Sequence, residues 1–468
     1  MKKQITIFTL LVCMTIMSWA NNVTVSNVVL NGQNVGNHYS LINYNITWDN
    51  SWRTNTNENN YDGCWIFAKF RKINSNNWQH ATINYVAPGT AAACGHTQPG
   101  GSTITTPSDG KGVFMYRSAN GQGTVNWSGV KLRWNYGVDG VADNDSVEIR
   151  LFAVEMVYCP QGAFNLGSGG SENYHFRDGL VDTYYPITSE GSINCGPVAG
   201  QLYTQGGVFW ISGTLPAAYP KGYNAVWCMK YEISQQQYAD FLNTIDYAKY
   251  INRTTYGGYN MTGTHPNLIP DNPERAVNYI GAEDVLSLLD WSALRPMTEL
   301  EFEKICRGAN QTPVSNEFAW GNTTILQIAS PSNQGMADET WFTGNCNYLS
   351  LTIPMRCGAL ATYSSNREQA GATYYGVMEM SGNLHEAVIS AGNAPGRTYT
   401  GVHGDGNLDP NGLYNALNWS TSAIGYRGGY LNSGYSLYSA VSDRISSTSG
   451  GAIKNNYYSS GRGVRTAQ

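Results

Sequence analysis

Short runs in which Val, Ile, Leu, Tyr, Phe and Trp alternate with polar residues dominate the first third of the chain. They are VTVSNVVL, YSLINYNITW, GCWIFAKFRK, HATINYV, KGVFMYRS, TVNWSGVKLRW and SVEIRLFAVEMV, separated by clusters of Gly, Asn, Asp and Pro. Alternation of period two turns one side of each run to a core and the other outward. Repeated short strands with turn signals predict an all-β sandwich domain over residues 21–154. The tryptophans of DNSWR (49–53) and WQHA (78–81) read as half-buried core residues.

The period then changes. In EISQQQYADFLNTIDY (232–247), Tyr238, Phe241, Leu242 and Ile245 recur at helical spacing, with Ser234 as a cap. GAEDVLSLLDWSAL (281–294) predicts a second helix. TELEFEKICRGA (298–309) predicts a third, with Thr298 and Glu301 forming a capping box and Gly308 ending it. Beyond residue 310 the chain is glycine-rich and aperiodic. A long irregular stretch in a compact domain is expected to be pinned by metal, disulfides or ligands.

Composition adds the compartment. Lys2 and Lys3, the apolar run ITIFTLLVCMTIM and the small residues around Ser18-Trp19-Ala20 predict a signal peptide over residues 1–20 and export to the cell surface or beyond. Cys13 lies within that run and does not read as a lipid-attachment site. Later apolar stretches are too short to span a membrane. Charged residues make up 13%, the net charge is −5 and there is no basic run, which argues against a nucleic-acid surface. Eight cysteines remain after residue 20, an even number that favours disulfides in an exported chain. The sequence leaves the connectivity open. Proximity favours Cys346–Cys357, then Cys64–Cys94 and Cys159–Cys195, with Cys228–Cys306 remaining.

KYEISQQQYADFLN, RPMTELEFEKICRGA, FAWGN, YGVMEMSGNLHEAV, YRGGY and GRGVRTA follow one another in order. Together they resemble the sulfatase-modifying-factor domain of formylglycine-generating enzymes over residues 155–468. The resemblance implies an α+β, strand-poor and irregular variant of the C-type lectin fold, preceded here by the sandwich. It also implies structural calcium in the GN-x-W-E loop, onto which Asn383, the Leu384 carbonyl and Glu386 map. A second site maps to Asn347 and the Tyr348 carbonyl. His385 and Ala387 replace the family's aromatics. Calcium takes several hard oxygen ligands, which an irregular loop can supply.

Catalysis of the family's kind needs two copper-binding cysteines after the RGG segment. No cysteine follows Cys357, and Ser433 and Tyr438 fall where those thiolates belong. A hydroxyl is too hard and too weakly acidic to replace a copper(I) thiolate. The iron-binding branch needs a His-x-x-x-His-x-Glu pattern, which histidines 38, 80, 96, 175, 265, 385 and 403 do not form. His403, near Asp405 and Asp409, is the least ordinary of them. Neither copper nor iron is expected, and no hydrolase motif appears.

What remains is recognition chemistry. Trp419, Tyr426, Tyr430, Asn432, Tyr435, Tyr438, Asn455, Asn456, Tyr457 and Tyr458 crowd the C-terminal segment among Ser and Gly. Rigid aromatics with small polar residues suit a binding surface. The expectation is a non-catalytic recognition protein for a protein or glycan ligand. A structural surface or filament subunit that self-assembles is the first alternative. An enzyme with a substituted site is the second. Arg427 and Arg444 are expected to be structural.

Overall fold

A computed structural model describes residues 23–207, 212–251, 253, 261–334, 336, 338–349, 351–362, 364–448 and 457–468. The expected signal peptide, Asn455 and Asn456 lie outside the described residues.

The first eight strands are β1 (Thr24–Asn34), β2 (Tyr39–Arg53), β3 (Tyr61–Lys72), β4 (Gln79–His80), β5 (Ser102–Thr105), β6 (Val113–Arg117), β7 (Gly121–Trp134) and β8 (Val147–Cys159). β2 pairs with β1 and β7, and β3 pairs with β6 and β8, all antiparallel. β2 and β3 pair only at Arg53–Tyr61, the corner between two layers. Ile42, Tyr44, Ile46 and Trp48 of β2 meet Val130 and Leu132 of β7 and Cys64, Ile66, Ala68 and Phe70 of β3 in one core. These are alternate positions, so the period-two pattern is the pattern of this core.

The other face of β3 and β8 is buried as well. Trp65 and Phe67, with Phe152, Val154 and Met156, pack into a second core together with the helices of the C-terminal half. Those helices are α1 (Gln235–Leu242), α2 (Ala282–Trp291) and α3 (Glu299–Arg307). The Ser234 and Thr298 caps form as expected, and each cap's own backbone N–H donates back to the side-chain oxygen of Gln237 or Glu301.

The C-terminal strands used below are β9 (Val226–Met229), β10 (Arg295–Pro296), β11 (His385–Ile389), β12 (Ile424–Arg427), β13 (Ser459–Ser460) and β14 (Gly463–Thr466). β8 pairs with β9, β9 with β14, and β14 with β10, so one sheet runs through both halves. The boundary expected at 154/155 therefore falls inside β8. The halves share a middle layer because β3 and β8 are apolar on both faces, which lets each face seed its own core. Polar bonds fasten the joint: Trp65 Nε1 donates to the Ser292 carbonyl at 2.8 Å, and Asn60 Nδ2 to the Tyr375 carbonyl at 2.7 Å. The chain is strand-rich, with few helices. Much of 310–380 is irregular, and β11 forms a small sheet between β12 and β13.

Candidate functional site

The C-terminal segment rests on carboxylates from α3. Every residue of this helix is buried, including five that carry charge. Glu299 accepts from Arg444 Nε at 2.8 Å and Nη2 at 3.0 Å, from Arg427 Nη1 at 3.1 Å, and from the Ala391 N–H at 2.7 Å. Glu303 accepts from Arg427 Nη2 at 2.7 Å, Arg307 Nη1 at 3.0 Å and the Gly167 N–H at 2.8 Å. Burial alone would raise the Glu303 pKa, but Arg427 and Arg307 outweigh it and hold the carboxyl below its usual value. Arg427 and Arg444 are thus structural, as expected. Buried charges persist where their lone pairs and protons are matched, as nearly all are here; Arg427 Nε alone in this network has no partner among the described residues.

Arg427 leads into the Gly428–Gly429 turn, with φ of +88° and +70°. A Cβ at Gly429 would stand 2.9 Å from the Ser439 backbone, so the turn needs glycine. The turn delivers Tyr430 to the surface. Tyr430 stacks on Tyr458 with centroids 4.2 Å apart, and Tyr457 lies 5.2 Å from Tyr458. His385 of β11 sits beneath them, 4.7 Å from the Tyr430 ring, and burial pushes its pKa down to about 3. Asn432 Nδ2 donates to the Tyr457 hydroxyl at 3.3 Å. Tyr435 pairs with Tyr438 at 5.5 Å. The Tyr430 pKa is raised by burial first, then by the phenols of Tyr458, Tyr457 and Tyr438. Tyr435 is 67% exposed, while Tyr430, Tyr438 and Tyr457 are half-buried.

Two expected surface residues belong elsewhere. Tyr426 is 1% exposed and Trp419 7%, and both pack in the helix-side core. Tyr426 lies in β12 opposite Ala387 and turns its ring inward. Trp419 Nε1 is held by the Val402 carbonyl at 3.0 Å.

The SGNLHEA loop lies next to this surface. Gly382 has φ +82°, and a Cβ there would overlap Cys346 Sγ and come within 2.6 Å of the Asn347 carbonyl oxygen. Asn347, Tyr348, Asn383 and Leu384 do come together. Most of their polar groups bond to protein, although the buried Asn347 Oδ1 has no partner among the described residues. The Asn383 N–H donates to the Asn347 carbonyl at 2.8 Å, and Asn383 Oδ1 accepts from the Met355 N–H at 2.8 Å. Ser433 gives both its N–H and its hydroxyl to the Tyr348 carbonyl, at 3.0 and 3.1 Å. Glu232 accepts from Asn383 Nδ2 and, at 2.9 Å, from the Leu384 N–H. Glu386 lies in β11, fully buried, and both its oxygens accept from Arg462 Nε at 2.7 and 2.8 Å. As a calcium ligand Glu386 does not fit: the guanidinium of Arg462 already supplies its positive partner. Nothing in the SGNLHEA stretch pointed to Arg462, 76 residues away.

The expected disulfides are corrected too. All eight described cysteines are buried and unpaired. Cys346 Sγ donates to the Ser381 carbonyl and Cys357 Sγ to the Glu232 carbonyl, in separate cores. Cys64 lies in the sandwich core, whereas Cys94 reaches the Val86 carbonyl. Cys159 and Cys195 occupy different cores. Cys228 and Cys306 share one, where burial raises both thiol pKa values. His403 Nε2 accepts the Thr466 N–H at 3.0 Å, and Asp405 and Asp409 accept N–H groups of their own turns. Among the described residues, no group of three or more His, Cys, Asp or Glu is arranged to hold a metal ion.

A family model described as the sulfatase-modifying factor enzyme 1-like domain matches residues 153–416. The chain belongs to this family. No curated protein matches it. The match begins inside β8, so this sulfatase-modifying-factor domain takes its first strand from the sheet it shares with the sandwich. The tyrosine surface lies past the end of the match. Ser433, at the expected thiolate position, is buried and gives its hydroxyl to the Tyr348 and Tyr435 carbonyls. Among the described residues, no helix is long and apolar enough to cross a membrane.

Proposed function

We propose that the chain is an exported, non-catalytic recognition protein. It binds a protein or glycan ligand through the surface made by Tyr430, Asn432, Tyr435, Tyr438 and Tyr457, on a C-type-lectin-like domain. The observation that carries this reading is the pairing of one exposed and three half-buried tyrosine rings with a floor of fully buried ion pairs. Glu299, Arg427 and Arg444 fix the backbone that presents the rings, so little order remains to be gained on binding. Tyrosine suits the task, because a rigid ring covers much area at low entropic cost. The lack of any cysteine after Cys357 supports the non-catalytic part, since copper(I) selects thiolates.

The test is a glycan and peptide array probed with the mature chain. A ligand is expected whose binding is lost in the Tyr435→Ala, Tyr438→Ala double variant. Conversion of a Cys-x-Pro-x-Arg peptide to formylglycine with added copper would overturn the reading.

A further inference from the structure

A cleft of about 440 Å³ opens between the sandwich and the sulfatase-modifying-factor domain, away from the tyrosine surface. One wall carries Trp52 and Gln122 from the sandwich, and the other carries Arg367 and Tyr374. Its chemistry is mixed: aromatic faces, side-chain amides and hydroxyls, with three cationic side chains against a single carboxylate, Glu58, among the described residues.

Three features make it a formed site rather than a gap. Trp52 is fixed: its Nε1 donates to Asn60 Oδ1 at 3.3 Å, and Gly376, at φ +86°, lets the backbone approach so closely that a Cβ would stand 3.0 Å from the indole. Lys230 at the floor is 2% exposed, with its ammonium 4.7 Å from the Trp52 ring and paired to Glu155. Arg367 is the third. Among the described residues its guanidinium donates only to carbonyls, those of Ala319 at 2.7 Å, Cys306 at 3.2 Å and Ala372 at 3.3 Å. None of these bonds neutralises its charge, and the group lies 5.6 Å from the Tyr374 ring. A fixed cation beside an aromatic face, ringed by amides and hydroxyls, matches a sugar ring that bears a carboxylate.

We propose that this cleft binds a uronic-acid saccharide, its carboxylate toward Arg367 and its ring against Tyr374. The inference is independent of the tyrosine surface. The probe is a galacturonic acid trimer titrated calorimetrically into the mature full-length chain, beside its methyl ester, which keeps the ring shape and loses the charge. The acid should bind saturably, with the ester roughly tenfold weaker or more, as expected for a lost charge-assisted hydrogen bond. Arg367→Lys should weaken the acid, because a point charge replaces a planar fork. Gln122 is exposed and its side chain makes no hydrogen bond among the described residues, so Gln122→Trp should block the mouth without unfolding the chain. Tyr435→Ala should leave trimer binding unchanged. Absence of acid binding to folded chain overturns the proposal, as does equal binding of the ester or wild-type binding by Gln122→Trp.

Discussion

β3 and α3 are both enclosed by protein, yet they are held by different physics. From Asp62 to Phe70, β3 is buried at every position, and most of those residues are apolar. It is stabilised by surface removed from water, which needs side chains of the right size and little else. α3 is buried throughout as well, but Glu299, Glu301, Glu303, Lys304 and Arg307 enter the interior with it. They are tolerated because each finds a specific partner. The first kind of burial is forgiving and the second is all-or-none, so the two should respond differently to mutation.

The largest effect should come from Glu299→Ala. It removes the carboxylate that meets both Arg427 and Arg444, at zero exposure on all three. Leaving buried charge uncompensated costs about 3–5 kcal/mol. Ile66→Ala in β3 should cost about 2–5 kcal/mol by cavity formation, and Ile66→Val far less. Urea denaturation checks both. A Glu299→Ala loss smaller than that of Ile66→Val would erase the contrast.

Glu386 and Arg462 sharpen it. Either single change, Glu386→Leu or Arg462→Met, should cost about 3–5 kcal/mol, but the double variant should cost much less than the sum, because no orphan charge remains. Chelator should leave the wild-type Tm where it is. A fall on adding chelator, reversed by calcium, would return Glu386 to a metal shell, since a metal bound only to the folded state raises Tm.

The same contrast explains what could be read from the residues alone. Alternation in β2 and β7 and the caps of α1 and α3 are local signals, and they stand where the pattern put them. Family membership was readable from ordered motifs. Sharing of the β3–β8 layer was not, since alternation marks one buried face and the second face reads simply as more apolar residues. The Glu386 partner was hidden for another reason. Arg462 sits in GRGVRTA, a separate motif, and no period links the two. Trp419 and Tyr426 show the limit of composition, because a tyrosine-rich segment does not say which rings turn inward.

Buried carboxylates without a full partner give a smaller effect, tied to pH. Burial pushes Glu379 up to about 7, against the opposing pull of Arg462. Its Oε1 accepts the Gly358 N–H, while Oε2 has no partner among the described residues. A raised carboxyl favours the protonated form in the folded state. Its contribution is complete below about 4.5 and is lost as pH rises through about 7. His385, lowered to about 3, works the other way: its contribution is present above about 6.5 and fades as pH falls. Comparing wild type with Glu379→Gln cancels the histidine. The variant should match wild type near pH 4 and exceed it by about 3 kcal/mol at pH 8. An equal difference at both pH values would show that Glu379 does not titrate in this range.

The smallest change in stability should come from the surface on which the proposed function depends. Tyr435 is 67% exposed and touches chiefly Tyr438, so Tyr435→Ala should shift stability by less than about 0.5 kcal/mol. Tyr426→Ala, with the same chemistry removed from the core, should cost about 3–5 kcal/mol. The two tyrosines lie nine residues apart, so the pair separates binding from folding within one segment. Loss of ligand in Tyr435→Ala at unchanged Tm assigns the surface to recognition. Retention of every array ligand by the Tyr435→Ala, Tyr438→Ala variant would remove these rings from recognition, and the search for a partner would move to the cleft beside Arg367.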